Sequence, residues 1–393
     1  MKFEMKTKAL RFLSDIQTGP FGSQLHKEDY VDDGTPIVTV EHLGNRVFTE
    51  QNLPRVSNED KQRLSKYILK EGDIVFSRVG SVDRCSFVDS QHTGWLFSGR
   101  CLRVRPFEEI SPLFLYYFFC LESTKKFMRN IAVGATMPSI NTKLMGEIEV
   151  SYPDKQVQEK VANLLGAIDD KIELNNAIND NLEQQAKALY KDWFLDFSPF
   201  SSDGTLPEGW RIGTVGDIIQ LHDSKRVPLS GTERSKMAKL YPYYGATSLM
   251  DYVDNYLFDG IYLLLGEDGT VVDNLGFPIL QYVYGRFWVN NHAHIITGKE
   301  GFSVEELYLF FGLTNIKSIV TGAVQQKVSQ QNLKKVPAII PSSTALSSFD
   351  ELIQPIFSQI RNLRDENARL TSLRDALLPK LMSGEIDVSA VQL

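Results

Sequence analysis

The 393-residue sequence is poor in cysteine and has no long apolar run. Its three cysteines, Cys85, Cys101 and Cys120, form no C-x-x-C pair and fit no zinc-ligand spacing, which favours reduced core thiols over a metal site. The longest apolar stretch, LFLYYFFCL at 113–121, is too short to cross a bilayer and is interpreted as a buried helix. No apolar segment near Met1 has the character of a signal peptide. We therefore expect a cytoplasmic protein with no metal of its own and no membrane contact.

Motifs for catalysis are also missing. The sequence has no phosphate-binding G-x-x-x-x-G-K-[ST] loop and no G-x-S-x-G turn. The nearest approach to the Asn/Asp-Pro-Pro-Tyr/Phe loop of an S-adenosylmethionine-dependent N-methyltransferase is Ser198-Pro199-Phe200, which lacks the second proline. Acids and a lysine after Pro153 imitate a nuclease cation site, but the corresponding Pro341 is followed by serines. The prediction is a chain without an active site.

The net charge of −7 argues against a protein that binds nucleic acid alone, because DNA affinity comes mostly from phosphate neutralisation. The excess of acids lies largely in the predicted helical segments. Residues 151–196 carry 5 Lys/Arg and 9 Asp/Glu, whereas residues 1–150 carry 20 and 19. A DNA-binding protein of this composition needs local basic patches or basic partner subunits.

An internal repeat with an offset of 188 residues organises the chain. Apolar residues recur in steps of four and three along 161–193 and again along 349–381, which is the spacing of a coiled-coil seam. Both copies carry an asparagine at the same place, and a buried asparagine in a seam fixes register and partner. The predicted seam positions are Val161, Leu165, Ile168, Ile172, Asn179, Leu182, Leu189, Phe349, Ile353, Ile356, Ile360, Asn367, Leu370 and Leu377.

Such a helix, with a narrow apolar stripe and polar sides, needs a partner. A two-fold relation between the copies predicts that the two helices pair antiparallel and form a spacer rod rather than part of a domain core. The alternative is that each helix packs only on its own domain, which would require a wider apolar face. Pro379 is expected to kink or fray the second helix, and Gly384 to stop it.

The repeat extends upstream of the helices and is much weaker in the rest of each globular region. GATMPSINTKLMGEIEVSYP begins at Gly134 and GAVQQKVSQQNLKKVPAIIP at Gly322, and each leads through a short strand and a proline into the long helix. The rest of each globular region has short β-branched and aromatic runs between turns, such as GDIVFSRVG and PILQYVYGRFWVNN, followed by one amphipathic helix (113–130 and 304–316). The scaffold is therefore duplicated while the domain content has diverged.

The fold class that these patterns predict is α+β. Two mixed, strand-rich domains at 1–150 and 210–341 are separated by two long helices that form an antiparallel coiled coil, with an internal pseudo-two-fold repeat. The first helix lies within 151–197, a turn-rich linker occupies 198–209, and the second helix and the C-terminal tail occupy 342–393.

Loops rich in basic and amide side chains are the candidate DNA contacts, because such side chains suit phosphates and base edges. A solvated surface loop is the alternative for each of them, and core packing is the alternative to base stacking for the tyrosine. The candidates are Ser23, Gln24, His26, Lys27, Arg78 and Arg84 in the first domain, and Lys225, Arg226, Arg234, Lys236, Tyr244, Asn291 and Lys327 in the second.

Several segments together resemble the specificity (S) subunit of type I restriction-modification systems over nearly the whole chain. The stretch from GATMPSIN to LYKDWFLDF resembles the central conserved region of that family, LPEGWRIGTVGDI the entry to a second target-recognition domain, and LLPKLMSGEIDV the C-terminal signature. YPYYGAT, LLLGEDGT and FWVNNHAHI resemble one class of recognition domain, and GPFGSQL another. Contacts therefore cannot be transferred from one domain to the other.

The resemblance implies a DNA-sequence-recognition subunit without an active site. Each target-recognition domain would read one half of a split site in double-stranded DNA, and the paired helices would set the number of unread bases between the halves. Two modification subunits would bind the helices and adjoining surfaces and methylate adenine, and two ATP-dependent restriction subunits would translocate and cut unmethylated DNA. S-adenosylmethionine, ATP and Mg are expected on those partners, and no cofactor on this chain.

Two other classes of function remain open from the residues alone. A coiled-coil adaptor whose domains bind proteins would show no DNA dependence in any assembly. A methyltransferase or nuclease that acts alone would transfer methyl groups or cut DNA as a purified chain, and the missing motifs argue against it.

If the helices are a spacer, deleting one heptad from both should change the spacing between the half-sites and leave the half-site sequences unaltered. Methylome sequencing of a strain that carries the shortened protein measures both quantities at once. An altered half-site sequence would contradict the spacer role.

Overall fold

The computed structural model describes residues 4–20, 24–322 and 325–388. The chain divides into two compact units. Unit 1 comprises Met1–Leu174 and Glu366–Leu393, and unit 2 comprises Asn175–Asp365. Both boundaries fall inside a long helix, so each unit contains one globular domain and half of each long helix. No helix among the described residues is long and apolar enough to cross a membrane.

Unit 1 contains two four-stranded sheets and one two-stranded sheet. Their strand orders are β2-β9-β6-β7, β3-β5-β4-β8 and β1-β10, and among the described residues of this unit only β4 and β8 pair in parallel. The strands are β1 Lys6–Ala9, β2 Ser14–Thr18, β3 Tyr30–Val31, β4 Thr35–Val38, β5 Arg55–Val56, β6 Ile74–Ser77, β7 Cys85–Phe87, β8 Leu96–Phe97, β9 Cys101–Pro106 and β10 Glu149–Tyr152. The helices are α1 Asn58–Arg63, α2 Pro112–Cys120, α3 Glu122–Ile131, α4 Thr142–Gly146 and the first half of α5 Lys155–Phe194.

The apolar run at 113–121 forms α2, as its composition predicts, and α2 packs in the core of the domain. Pro112 begins the helix, where a missing N–H costs nothing, and Phe114, Leu115 and Phe119 are fully buried. The sequence predicted one helix over 113–130, which is wrong. Leu121 adopts an extended conformation and separates α2 from α3, because the chain changes there from nearly uniform apolar character to an amphipathic pattern with one buried face.

Unit 2 is built on a six-stranded sheet with the order β12-β18-β15-β17-β13-β14. The longest pairing joins β15 and β17, from Phe258 opposite Phe287 to Leu265 opposite Leu280. The strands are β11 Arg211–Thr214, β12 Ile219–Leu221, β13 Tyr241–Tyr244, β14 Leu249–Val253, β15 Phe258–Gly266, β16 Asp268–Gly269, β17 Leu280–Val289, β18 Ala293–Gly298, β19 Gln326–Lys327 and β20 Pro337–Ile340. The helices are α6 Val215–Ile218, α7 Gly231–Arg234, α8 Val304–Gly312, α9 Gln330–Leu333, α10 Ser343–Met382 and the second half of α5.

The repeat is visible in the bounds of the elements. Helices α5 and α10 each contain 40 residues, and both their first and their last residues differ by the 188-residue offset. Each is preceded by a two-stranded antiparallel sheet that ties the two ends of its domain together, β1 with β10 and β11 with β20. Gly134 and Gly322 both have positive φ, 113° and 90°, a conformation that favours glycine and explains its presence in both copies.

Within each unit the two long helices pair antiparallel. In unit 1, Arg374 donates to Asp169 at 2.7 Å, and Asn367 Nδ2 donates to the Ile172 carbonyl at 3.4 Å. The residue numbers of the contacting positions therefore decrease along α10 as they increase along α5. In unit 2, Arg364 pairs with Glu183 at 2.8 Å, and the ring of Phe349 lies 4.7 Å from that of Phe194, which gives the same sense. The predicted antiparallel pairing is confirmed inside both units.

The prediction that the helix pair lies outside the domain cores is wrong at the ends of the helices. Every one of the fourteen seam positions is buried or half-buried. However, Val161 and Leu165 belong to the core cluster of unit 1, and Phe349, Ile353 and Ile360 to that of unit 2. The two arrangements that the sequence left open thus coexist, because the ends of each helix contact both the other helix and a domain.

Proline does not interrupt α10. The helix continues through Pro355 and Pro379 to Met382, and Gly384, with φ 72°, follows it as the predicted stop. Both prolines lie on the exposed face. The carbonyl groups that lose their N–H donors there can bond to water, which makes the substitution tolerable.

The aromatic cluster around Phe349 is expected to dominate the stability of unit 2. Its ring lies 4.7–5.7 Å from those of Tyr190, Trp193 and Phe194, and its side chain is fully buried. Phe349→Ala should lower the free energy of unfolding by about 3–5 kcal/mol, since it removes a large buried side chain and leaves a cavity. Urea unfolding followed by tryptophan fluorescence measures the change. Leu352→Ala, on the exposed face of the same helix, is the matched control, and an equal loss in both variants would contradict the assignment.

A buried acid makes unit 2 sensitive to pH. Glu306 in α8 is 0% exposed, and burial, reinforced by the charges of Asp350 and Glu305 and only partly offset by hydrogen bonds from Ser303, raises its pKa to about 8. The folded state therefore holds a proton that the unfolded chain releases above pH 4.5.

The stabilisation from this proton is complete below about pH 4.5 and disappears as the pH rises through 8. The free energy of unfolding should therefore fall between pH 5 and 8, by up to about 1.4 kcal/mol per pH unit relative to Glu306→Gln, which cannot ionise. Urea unfolding of both proteins at several pH values gives the difference. Parallel pH profiles for the two proteins would show that Glu306 does not titrate in this range.

Candidate DNA interface

Four segments of unit 2 converge at one end of its large sheet. They are residues 223–226, 267–269, 290–294 and 326–328, here called the unit 2 edge. Backbone hydrogen bonds join them: Glu267 N–H donates to the His292 carbonyl, and Val328 N–H to the Glu267 carbonyl, both at 2.8 Å. Residues from distant parts of the sequence therefore share one fixed surface.

Asp223 and His294 form the buried centre of this edge. Asp223 accepts hydrogen bonds from the Ile295 N–H at 2.9 Å, from His294 Nδ1 at 2.6 Å and from Gln330 Nε2 at 2.5 Å. Nε2 of His294 lies 2.8 Å from the Val328 carbonyl. Burial alone would raise the pKa of Asp223, but the hydrogen bond and charge of His294 and the bond from Ile295 outweigh it, and the net shift is downward.

Arg226 joins this centre to the neighbouring turns. Its Nη1 donates to Glu267 Oε2 at 2.6 Å and to the Ala293 carbonyl at 2.8 Å, its Nε donates to the Asp223 carbonyl at 3.0 Å, and its side chain is 14% exposed. Asp223, Glu267 and His294 lie close enough together to suit a metal ion. The guanidinium already supplies a positive charge to two of these groups, so the cluster acts as an ion-pair network that fixes the edge.

The outer surface of the edge carries polar groups that suit DNA. Lys225 and Asn291 are exposed, and Lys327 is half-exposed with its Nζ 3.5 Å from Glu267 Oε1. His292 is also half-exposed, and its Nδ1 lies 2.5 Å from Asp268 Oδ1. The structure thus brings together four of the predicted residues, Lys225, Arg226, Asn291 and Lys327. Three of them are accessible, whereas Arg226 is mainly internal.

The remaining candidates in unit 2 have largely internal contacts. Arg234 lies over the Tyr243 ring at 4.9 Å and donates to Asp251 at 3.2 Å. Tyr244 is half-buried with its ring 5.9 Å from Phe287, and burial raises its pKa. Of this group, only Lys236 is exposed. Packing therefore explains Arg234 and the tyrosine ring, and contact with DNA stays a prediction for all three candidates.

Unit 1 has an edge of the same construction. The turn at 78–81 pairs with the loop at 133–140: Val79 forms a bridge with Ser139, Gly80 N–H donates to the Pro138 carbonyl at 2.8 Å, and Ile140 N–H to the Arg78 carbonyl at 3.0 Å. In unit 2 the corresponding bridge joins Asp268 and Lys327. These segments, 78–81 and 133–140, are here called the unit 1 edge.

A groove of about 520 Å³ lies close to this edge. The half-buried Arg78 donates from Nη1 to the carbonyl of Gly99, which is in the groove wall, at 3.3 Å. Thr39, Glu41 and the exposed Arg100 give the wall hydrogen-bonding groups of both kinds. Pro20 and Leu25 place one side of the groove beside the predicted loop at 19–27.

The other candidates in unit 1 differ in accessibility. Arg84 is exposed, although its guanidinium donates to the Leu43 carbonyl. Gln24 accepts a hydrogen bond from the Tyr67 hydroxyl at 2.6 Å, which gives it a structural role, and His26 is exposed. Ser23 and the side chain of Lys27 lie outside the described residues.

Sequence reasoning missed several residues of both surfaces. No sequence pattern pointed to the interaction of His292 with Asp268, to the buried Asp223 and His294, or to Arg100. A usable signal was present for unit 2: polar residues gather at both ends of the apolar strands β15 and β18, where loops often carry function. Arg100 lies between a glycine and the start of a strand, and no sequence pattern marks it as functional.

Comparison with known proteins gives a consistent result. A family model described as the type I restriction modification DNA specificity domain matches residues 4–184 and again residues 207–372. The type I restriction enzyme MjaIX specificity subunit of Methanocaldococcus jannaschii is 24% identical, with 97% of this chain and 93% of the relative covered. The HindI specificity subunit of Haemophilus influenzae is 25% identical, with 84% and 90% covered.

A solved structure supports the same fold. The S subunit of a type I restriction-modification system from M. genitalium has a TM-score of 0.59 at 16% identity, with 96% of each chain covered. The two matched regions of the family model span both globular domains and most of both long helices. The chain therefore belongs to the type I restriction-modification DNA specificity family, whose role is recognition of DNA rather than catalysis.

Proposed function

We propose that this chain reads a bipartite DNA site, one half with each domain, and recruits adenine-methylating modification subunits and ATP-dependent restriction subunits to it. The two edges are the proposed DNA-contacting surfaces, and the paired long helices set the unread spacer between the half-sites. S-adenosylmethionine, ATP and Mg belong to the partner subunits in this proposal. The DNA of the cell is the substrate, so the proposed place of action is the cytoplasm.

The single observation that carries this proposal is the pair of corresponding edges. Both are held by the same short bridge between a turn of the central sheet and the repeated loop, yet one turn presents Arg78, Val79 and Gly80 and the other Glu267, Asp268 and Gly269. Two domains that recognise different half-sites can share a backbone frame, but they require different side chains to contact the bases, because base edges specify the sequence.

The charge distribution supports a role for partner subunits. The net charge is −7, and ion pairs occupy Arg226 and Arg234 among the basic residues proposed to face DNA. Because phosphate neutralisation supplies most of the affinity for DNA, the isolated chain should bind weakly. Modification subunits that close around the DNA would supply the missing contacts.

Reconstitution tests the proposal against a protein-binding adaptor without a DNA role. The chain is purified alone and together with its modification subunits, and the binding of both samples to genomic DNA fragments is measured. Methylome sequencing then identifies the sites that the complex methylates. We expect weak, non-specific binding by the chain alone and methylation of one split sequence by the complex. Methylation that is absent, or confined to a continuous site, would overturn the bipartite role.

Exposed lysines of the unit 2 edge should contribute to the salt dependence of DNA binding. Lys225→Ala and Lys327→Ala should each weaken binding by the complex and reduce the slope of log K against log salt by about 0.9, the effect of one phosphate contact. Fluorescence anisotropy across a salt series measures the slope.

Lys299→Ala is the matched control, because Lys299 follows the far end of β18 and is also exposed. An unchanged slope in both edge variants would remove these lysines from the contact surface. Arg226→Ala is a poor probe of DNA contact, since it also breaks the internal ion-pair network.

A further inference from the structure

In each unit, one acid of α5 joins a domain helix to both long helices. In unit 1, Asp169 is 4% exposed. Its Oδ2 accepts from the Tyr117 hydroxyl of α2 and its Oδ1 from Arg374 Nη1 of α10, both at 2.7 Å. These three residues are here called the unit 1 clamp. Arg46 adds a second link from the domain, with Nη1 2.6 Å from Asp170 Oδ1 and 3.1 Å from the Gly166 carbonyl.

Unit 2 has a clamp of the same chemistry. Glu183 of α5 accepts from the Tyr308 hydroxyl of α8 at 2.9 Å and from Arg364 Nη2 of α10 at 2.8 Å. These three residues are the unit 2 clamp. The Tyr284 hydroxyl of β17 adds a link to Asp365 of α10 at 2.8 Å.

The 188-residue offset does not relate the two clamps. Asp169 would correspond to Phe357, and Glu183 to Thr371. Duplication alone therefore does not account for the same combination of a domain tyrosine, an α5 acid and an α10 arginine. The recurrence points to a requirement that both domains share.

We propose that the clamps are positioning devices that fix the angle of each domain against the paired helices, and so determine how strictly the complex selects the spacer length between half-sites. The inference rests on the proposed bipartite function and adds residues to it. None of the clamp residues is assigned to DNA contact.

The geometry of DNA requires a domain to move when the spacer length changes. One added base pair moves a half-site by about 3.4 Å and rotates it by about 35° around the DNA axis. A domain must follow this rotation, or the DNA must twist, for both halves to be read. A charge-assisted hydrogen bond to a carboxylate resists such movement, because breaking it removes one of the two side-chain donors that each clamp acid has, the tyrosine and the arginine.

The test loosens the domain side of each clamp and leaves the ion pair between the helices intact. For unit 1 the variant is Tyr117→Phe with Arg46→Gln, and for unit 2 it is Tyr308→Phe with Tyr284→Phe. Each is assembled with the modification subunits, and methylation rates are measured on DNA whose spacer is one base pair shorter than, equal to or one longer than the natural spacer. We expect the preference for the natural spacer to fall about threefold to tenfold, the effect of losing one to two hydrogen bonds, with the half-site sequences unchanged.

A matched control removes comparable contacts inside the unit 1 domain. Tyr116 is buried on the same helix as Tyr117, with its ring 6.0 Å from that of Phe87, and Arg129 pairs with Asp83 and Glu122. Tyr116→Phe with Arg129→Gln should leave the spacer preference at the wild-type value.

Three outcomes overturn the inference in different ways. If both clamp variants keep the wild-type preference for the natural spacer length, and thermal unfolding shows that they are folded, the positioning role is excluded. An equal loss of preference in the control would assign the effect to general loosening of the domain. Failure of the wild-type complex to methylate any split site would overturn the proposed function itself, together with the clamp inference.

Discussion

The pairing of α5 with α10 is the constraint on which the rest of the structure depends. A 40-residue helix with so narrow an apolar stripe has no stable existence alone in water. Within each unit, each helix gains its partner from the other copy of the repeat, and residues of both helices also belong to the core of that unit. Phe349 illustrates the arrangement, since it contacts three aromatic residues of α5 while it belongs to the core of unit 2. Within each unit, the domain core and the helix pair therefore bury some of the same side chains.

The sequence was most informative where it repeats. Two copies with one offset are enough to predict the seam, the prolines that precede both helices and the matching asparagines Asn179 and Asn367. The strands β6 and β17 followed from short β-branched and aromatic runs between turns. These features follow from the types and spacing of residues along the chain, which a single sequence shows directly.

Side-chain partners from distant segments were not predictable in the same way. Arg226 has the composition of a phosphate contact, yet its guanidinium is engaged by Glu267, 41 residues away, and by the Ala293 carbonyl. The break at Leu121 depends on which face α3 buries, and the docking of the helix ends depends on the assembled domains. Such choices are made by tertiary packing, which overrides local propensity.

The internal network of the unit 2 edge is distinct from the polar exterior that is proposed to contact DNA. Asp223, Arg226 and His294 hold the frame with buried contacts to one another and to backbone carbonyls. Lys225 and Asn291 have exposed side chains on its exterior. Exterior positions of this kind accept substitutions with small changes in stability. In the proposed role of this edge, descendants of the protein can acquire new sequence preferences through substitutions at a few surface positions, while selection for folding preserves the frame beneath them.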